Sequence, residues 1–205
     1  CALPICAKIS VFGKNSVNLV YGGSGSGGGT HEYAVSIFES LTKAGFTYNP
    51  VLKEFYESSS SGDNRSKNPE IESGNVSYLN TGETPQSLYT NKVKNSYANY
   101  KDAALIVISR IGGEGWDLPR SMGENANSEG DHYLQLDKNE KDLIKAVCDA
   151  DFPKVIVILN SNNPIELGFL NDESHYAYDS RINGCLWIGT LGDTGIMALG
   201  RILNG

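Results

Sequence analysis

Four short runs, largely apolar and rich in β-branched residues, punctuate the chain: residues 8–12 (KISVF), 104–109 (ALIVIS), 154–160 (KVIVILN) and 184–189 (GCLWIG). They are continuous rather than alternating, the pattern of strands buried on both faces of a parallel sheet. Residues 47–52 and 74–79 read as weaker strands. Helical spacing lies between these runs. In 31–44 the apolar Ala34, Ile37, Phe38 and Leu41 fall at i, i+3, i+4 and i+7; in 139–150 Leu143, Ile144, Val147 and Cys148 do the same, with Asp137 as an N-cap. Residues 87–100, 164–170 (Pro at the first position) and 194–203 read as further helices. Strands alternating with helices predict an α/β layered domain.

Three stretches break the pattern. Residues 21–30 (YGGSGSGGGT) form a glycine loop, 57–74 a polar, turn-rich surface excursion, and 111–133 (IGGEGWDLPRSMGENANSEGDHY) about 23 residues almost without periodicity. Loops of that length are usually functional or disordered. This one follows the clearest strand, and ligands of open α/β sheets bind beyond the carboxyl ends of the strands.

The 205 residues, 40% hydrophobic and 20% charged, suffice for one domain with a full core and exclude a wholly disordered chain. The formal net charge of −7 without a basic block argues against nucleic acid or an anionic membrane as partner. No apolar run approaches the roughly 20 residues of a membrane span. The start at Cys1 without a Met reads as a piece of a longer protein. Cys1, Cys6, Cys148 and Cys185 offer no C-x-x-C pair and no metal spacing with the three histidines. Cys148 and Cys185 sit in apolar runs, which favours a reduced, cytoplasmic setting. Secretion stays open if a leader was removed with the missing part.

The glycine loop satisfies G-x-G-x-x-G at 23–28, but its context is wrong for a dinucleotide. Residues 13–21 separate it from the first strand, and no acidic residue ends a second strand at the required distance. There is no G-K-[ST]. The bland alternative is a loop whose glycines let backbone come close to a ligand. A serine-hydrolase elbow fails too, since Ser24 would need glycine at 26 and Ser26 would need it at 24. His31, His132 and His175 are too scattered for a triad.

The long loop carries Glu114, Trp116, Asp117, Glu124, Glu129, Asp131, His132 and Tyr133. It has no D-x-D spacing, so metal binding is disfavoured. A solvated acidic loop is the bland reading. Against it stands Gly112-Gly113-Glu114-Gly115-Trp116, a carboxylic acid on a glycine turn beside an indole. That suits a general acid in sugar chemistry, where an indole can stack on a pyranose and shield the acid from water.

Residues 109–117 (SRIGGEGWD) resemble the S-R-x-x-G-E-G-[YFW]-D segment of glycoside hydrolase family 3, the β-glucosidase family. Other blocks follow in family order. Ala2-Leu3-Pro4 resembles a linker that precedes this domain, and 8–15 (KISVFGKN) its first strand. Residues 22–27 (GGSGSG) resemble its glycine loop, 130–136 the lead-in to the next helix, 155–167 (VIVILNSNNPIEL) its V-V-V-L-N-S-G-x-P-x-x-L block, and 192–205 its terminal helix. The resemblance covers essentially the whole chain.

It implies a three-layer (α/β)₆ sandwich with a six-stranded, mostly parallel sheet, filling 1–205 as a single domain. The family's (β/α)₈-type barrel is absent from this chain. It further implies a retaining glycoside hydrolase acting on terminal β-glycosidic bonds of a β-linked oligosaccharide or aryl glycoside. The barrel would supply the nucleophile, and this domain the acid/base, which matches Glu114. Ser26 matches a serine that approaches the sugar, and Trp116 is placed on the substrate side. No cofactor, metal, nucleic acid or membrane is implied. Alone, the chain is expected to be inactive. Residues 118–129 look extended relative to the family pattern, on the leaving-group side. The alternative is a non-catalytic α/β module that binds carbohydrate or nucleotide on the same scaffold.

Overall fold

The computed structural model describes residues 3–4, 6–66, 76, 78–123, 131–170 and 181–205. Five strands make one sheet: β1 (Lys8–Phe12), β2 (Thr47–Tyr48), β3 (Ala103–Arg110), β4 (Val155–Ser161) and β5 (Gly184–Trp187). Their order is β2-β1-β3-β4-β5 and every pairing is parallel. The longest ladder joins β3 to β4, from Ala104 opposite Val155 to Arg110 opposite Ser161. All eight residues of β3 and all seven of β4 are buried, as continuous apolar strings require. The architecture is the expected helix–sheet–helix sandwich, with five strands among the described residues in place of six.

Among the described residues five α-helices cover the sheet: α1 (Ile37–Lys43), α2 (Pro50–Glu57), α3 (Asn91–Ser96), α4 (Lys138–Asp149) and α5 (Met197–Asn204). Helices α2, α3 and α4 contribute Leu52, Phe55, Val93, Leu143 and Val147 to a core on one face. On the other face α1 and α5 contribute Ile37, Phe38, Leu41, Leu199 and Leu203. These two helices touch closely at Gly200, whose N–H donates to Ser40 Oγ at 3.0 Å. A Cβ at Gly200 would overlap the Ser40 carbonyl. No helix of the described residues is long and apolar enough to cross a membrane.

The chain departs from the sequence reading where caps overrule periodicity. The helix expected over 31–44 starts only after Ser36, whose hydroxyl accepts from Glu39 N at 3.1 Å. His31 adopts φ 51°, which no helix accommodates. The strand expected over 47–52 stops at Tyr48, because Asn49 caps α2 through Val51 N and Leu52 N, with Pro50 at the first helical position. Residues 164–170 hold only a short 3₁₀ turn, Gly168–Leu170. The 87–100 helix is broken into α3 and flanking 3₁₀ turns. Residues 76 and 78–79 are not strand, and most of the run expected over 74–79 lies outside the described residues.

Candidate active site

Glu114 lies four residues beyond β3, on a loop whose two ends are fastened to one side chain. Arg110 closes β3 and is fully buried. Its guanidinium makes paired bonds of 2.5 and 2.6 Å to Glu140 on α4. It also donates to the carbonyls of Tyr133 (2.8 Å) and Gln135 (2.5 Å) and lies over the Tyr133 ring. Tyr133 Oη in turn accepts from Ile111 N at 3.3 Å. The excursion between 111 and 133 therefore leaves and returns at the same clamp. Burial by itself would pull the Arg110 pKa down, but the Glu140 carboxylate holds it above the usual guanidinium value. Breaking such a buried pair from one side costs about 3–5 kcal/mol.

Glu140 serves twice, since it completes the capping box of α4: Asp137 Oδ1 accepts from Glu140 N, and Glu140 Oε2 from Asp137 N, both at 2.8 Å. Thr81 Oγ1 donates to Asp137 Oδ2. Burial first, and the Glu140 charge second, push the Asp137 pKa up to about 7. Burial also raises that of the neighbouring Glu83 well above the ordinary carboxylate value.

A second fastening sits at Asn160 near the end of β4. Its amide accepts from Val20 N (2.6 Å) and Ser109 Oγ (3.0 Å), and donates to the carbonyls of Val20 (2.9 Å) and Gly189 (2.8 Å). One buried side chain thus ties the approach to the glycine loop, the end of β3 and the turn after β5. The L-N-S block is a staple rather than a source of chemistry.

These fastenings lay the glycine loop across the turn that carries Glu114. Ser26 N donates to Glu114 Oε2 at 3.0 Å. Ser24 Oγ donates to the Glu114 carbonyl at 3.1 Å and accepts the Trp116 indole N–H at 2.9 Å. Asn162 Nδ2 donates to the Gly112 carbonyl at 3.1 Å. The fit allows no Cβ: one on Gly113 would overlap Ser24 Oγ, one on Gly112 Asn163, and one on Gly25 Glu114 Oε2. Gly25 also holds φ 64°, a left-handed conformation that favours glycine.

Glu114 and Ser26 are exposed, and Trp116 is half-buried against the small cluster of Leu79, Ile111, Met122 and Tyr133. Above the turn lies an open depression of about 600 Å³, lined by Tyr21, Ser24, Glu114, Asn162 and Thr190 among others. Asp117 is exposed on the same loop. The histidines go elsewhere. His31 Nδ1 lies 2.7 Å from Asp193 Oδ1, and His132 Nε2 2.9 Å from Glu166 Oε1. Glu124, Glu129 and His175 lie outside the described residues. Among the described residues no group of His, Cys, Asp or Glu could hold a metal ion. Ser24, Arg110 and Asn160 escaped sequence reasoning as working residues. Only the Asp137-x-x-Glu140 spacing announced part of their network.

The sequence model of the glycosyl hydrolase family 3 C-terminal domain matches residues 2–205. The chain belongs to that family. It is 26% identical over 213 residues to beta-glucosidase A of Butyrivibrio fibrisolvens, covering 97% of this chain and 24% of that protein. Among solved structures, beta-glucosidase 3B from Thermotoga neapolitana in complex with glucose superposes with a TM-score of 0.67. It is 28% identical, over 100% of this chain and 26% of that one. A beta-glucosidase from Paenibacillus barengoltzii gives a TM-score of 0.70 at 25% identity, over 99% of this chain and 20% of its own. The chain thus spans between 20% and 26% of the length of these relatives.

Proposed function

We propose that this family 3 domain supplies the general acid/base of a retaining β-glucosidase-like hydrolase, with Glu114 as that group. The observation that carries the reading is the Ser26 N–H bond to an exposed Glu114 carboxylate at the edge of an open depression. In retaining hydrolysis one carboxylate attacks the anomeric carbon while a carboxylic acid about 5–5.5 Å away protonates the departing oxygen, then takes a proton from the incoming water. Glu114 can do the second task and not the first. The nucleophile therefore comes from a separate (β/α)₈-type barrel domain, which would close over the depression and sandwich a β-linked oligosaccharide or aryl glycoside. Ser26, exposed beside Glu114, would meet a sugar hydroxyl, and Trp116 would hold the turn from beneath while bordering the substrate.

The nucleotide alternative meets an electrostatic objection. A phosphate on the glycine loop would need Ser26 N–H, which is engaged by Glu114, and would sit against that carboxylate. A cytoplasmic setting is part of the proposal and accords with the free thiols of Cys6 and Cys185. The deciding test is the leaving-group dependence of Glu114→Ala in the two-domain enzyme.

A further inference from the structure

Arg65 carries a guanidinium that no carboxylate of the described residues answers. Its Nε is buried and finds no hydrogen-bond partner among them. Two of its five N–H groups go to main-chain carbonyls, Nη1 to Ser66 at 3.2 Å and Nη2 to Asn18 at 3.3 Å. Burial pulls its pKa down. The main chain here is nonetheless fixed. Ser66 N donates to the Asn80 carbonyl at 2.9 Å and Asn80 N to Ser66 Oγ at 2.8 Å, and a Cβ on Gly82 would overlap the Arg65 backbone. A cation drawn partly out of water without a counter-charge costs stability. One kept that way at a cavity wall marks a site for an anion.

The cavity supplies the second observation. Arg65 lines a space of about 390 Å³ against the glycine loop, together with Gly22, Gly23, Gly29 and His31. Its described lining holds no carboxylate. Among the described residues the N–H groups of these three glycines find no acceptor. His31 Nε2 is likewise buried without a partner. His31 Nδ1 lies 2.7 Å from Asp193 Oδ1; a carboxylate only accepts, so the neutral ring carries its proton on Nδ1 and a lone pair on Nε2. Glu114 lines the neighbouring depression, which shares Gly22, Gly23 and His31 with this cavity.

The donors and the acceptor call for different groups of one ligand. The planar fork of a guanidinium matches a carboxylate, and glycine N–H groups suit the same oxygens. The bare Nε2 of His31 takes a hydroxyl. A simple anion would leave that acceptor unused, and a neutral sugar would leave Arg65 without a counter-charge. We propose that the cavity binds a uronate unit of an acidic glycoside, its carboxylate on Arg65 and a hydroxyl on His31 Nε2. The volume is in the range of small-molecule sites. Through the shared wall this unit belongs to the same glycan that reaches Glu114. That connection rests on the hydrolase reading; binding in the cavity does not.

The test titrates the chain as it stands with glucuronate, glucose and acetate, followed by ¹H–¹⁵N NMR. The reporters are the Arg65 Nε–H and the amides of Gly22, Gly23 and Gly29. Glucuronate should shift these signals at concentrations roughly tenfold lower than either glucose or acetate. Arg65→Gln should weaken glucuronate binding roughly tenfold and leave glucose within about twofold. Arg65→Lys, which keeps the charge without the fork, should recover part of the loss. Glucuronate that leaves the reporters in place, that binds no better than glucose or acetate, or that binds Arg65→Gln as tightly as the parent overturns the proposal. The titration of the parent stands without any variant, so a variant that fails to fold does not shield the proposal. Glu114 is tested separately through leaving groups, so this site and the acid/base assignment fail independently.

Discussion

The backbone N–H of Ser26 meets Glu114 Oε2 at 3.0 Å, across 88 residues of sequence. One loop thereby orients the carboxylate that the other presents. Acid/base chemistry depends on such orientation, because a proton must travel along a short, aligned path to the departing oxygen.

Glu114→Ala in the two-domain enzyme separates catalysis from scaffolding. A poor leaving group needs a proton as its bond breaks; a dinitrophenolate scarcely does. Cellobiose-like substrates should lose roughly 10²–10⁴-fold in kcat/KM, and dinitrophenyl glycosides far less. Loss of the base should let the glycosyl-enzyme accumulate as a burst. Azide, which needs no base, should restore turnover and give a β-glycosyl azide. Equal losses on both substrate classes, with no azide rescue, would remove Glu114 from the role.

Two glycines of the same loop should behave differently. A Cβ on Gly25 would overlap Glu114 Oε2, and its φ of 64° opposes any side chain; a Cβ on Gly27 meets nothing within 4 Å. Gly25→Ala should displace the carboxylate and lower kcat about a hundredfold. Gly27→Ala should stay within about threefold of the parent. Steady-state kinetics decide it, and comparable losses in both would mean that the loop, not the Gly25 contact, sets the activity.

The chain by itself should not hydrolyse p-nitrophenyl glycosides. Asp117 is no substitute nucleophile, since it lies three residues from Glu114 on the same loop and would have to oppose it across a sugar ring. Turnover by the purified chain that disappears in Asp117→Asn would require a single-domain mechanism.

Stability should fall as pH rises through the range in which Asp137 titrates. Its pKa is raised from 3.8 to about 7, so the folded chain keeps a proton that the unfolded chain releases. The contribution is complete below the unfolded value and is lost by about pH 7, amounting to a few kcal/mol at most. Asp137→Asn keeps an N-cap acceptor for α4 and should flatten the slope. Urea unfolding across that pH window measures it, and an unchanged slope in the variant contradicts the assignment.

The sequence by itself determined the layers. Runs such as 104–108 (ALIVI) and 155–159 (VIVIL) are apolar at every position, which suits a strand covered on both faces, so the parallel sheet was legible without coordinates. The G-G-E-G-W turn was legible too, because a carboxylate set among three glycines beside an indole is unusual for a merely solvated loop. Local capping competed with periodicity and won at Ser36 and Asn49, shortening a helix at one and replacing a strand by α2 at the other. What only the tertiary structure decided is which distant loops meet. The strand order sets β1 beside β3 and β3 beside β4, and so brings residues 22–27, 112–116 and 160–163 to one rim. The Ser26–Glu114 bond, the Arg110 clamp and the Asn160 staple all follow from that adjacency. Hydrophobic spacing reports how a segment faces its own core; it holds no record of which strand ends lie side by side.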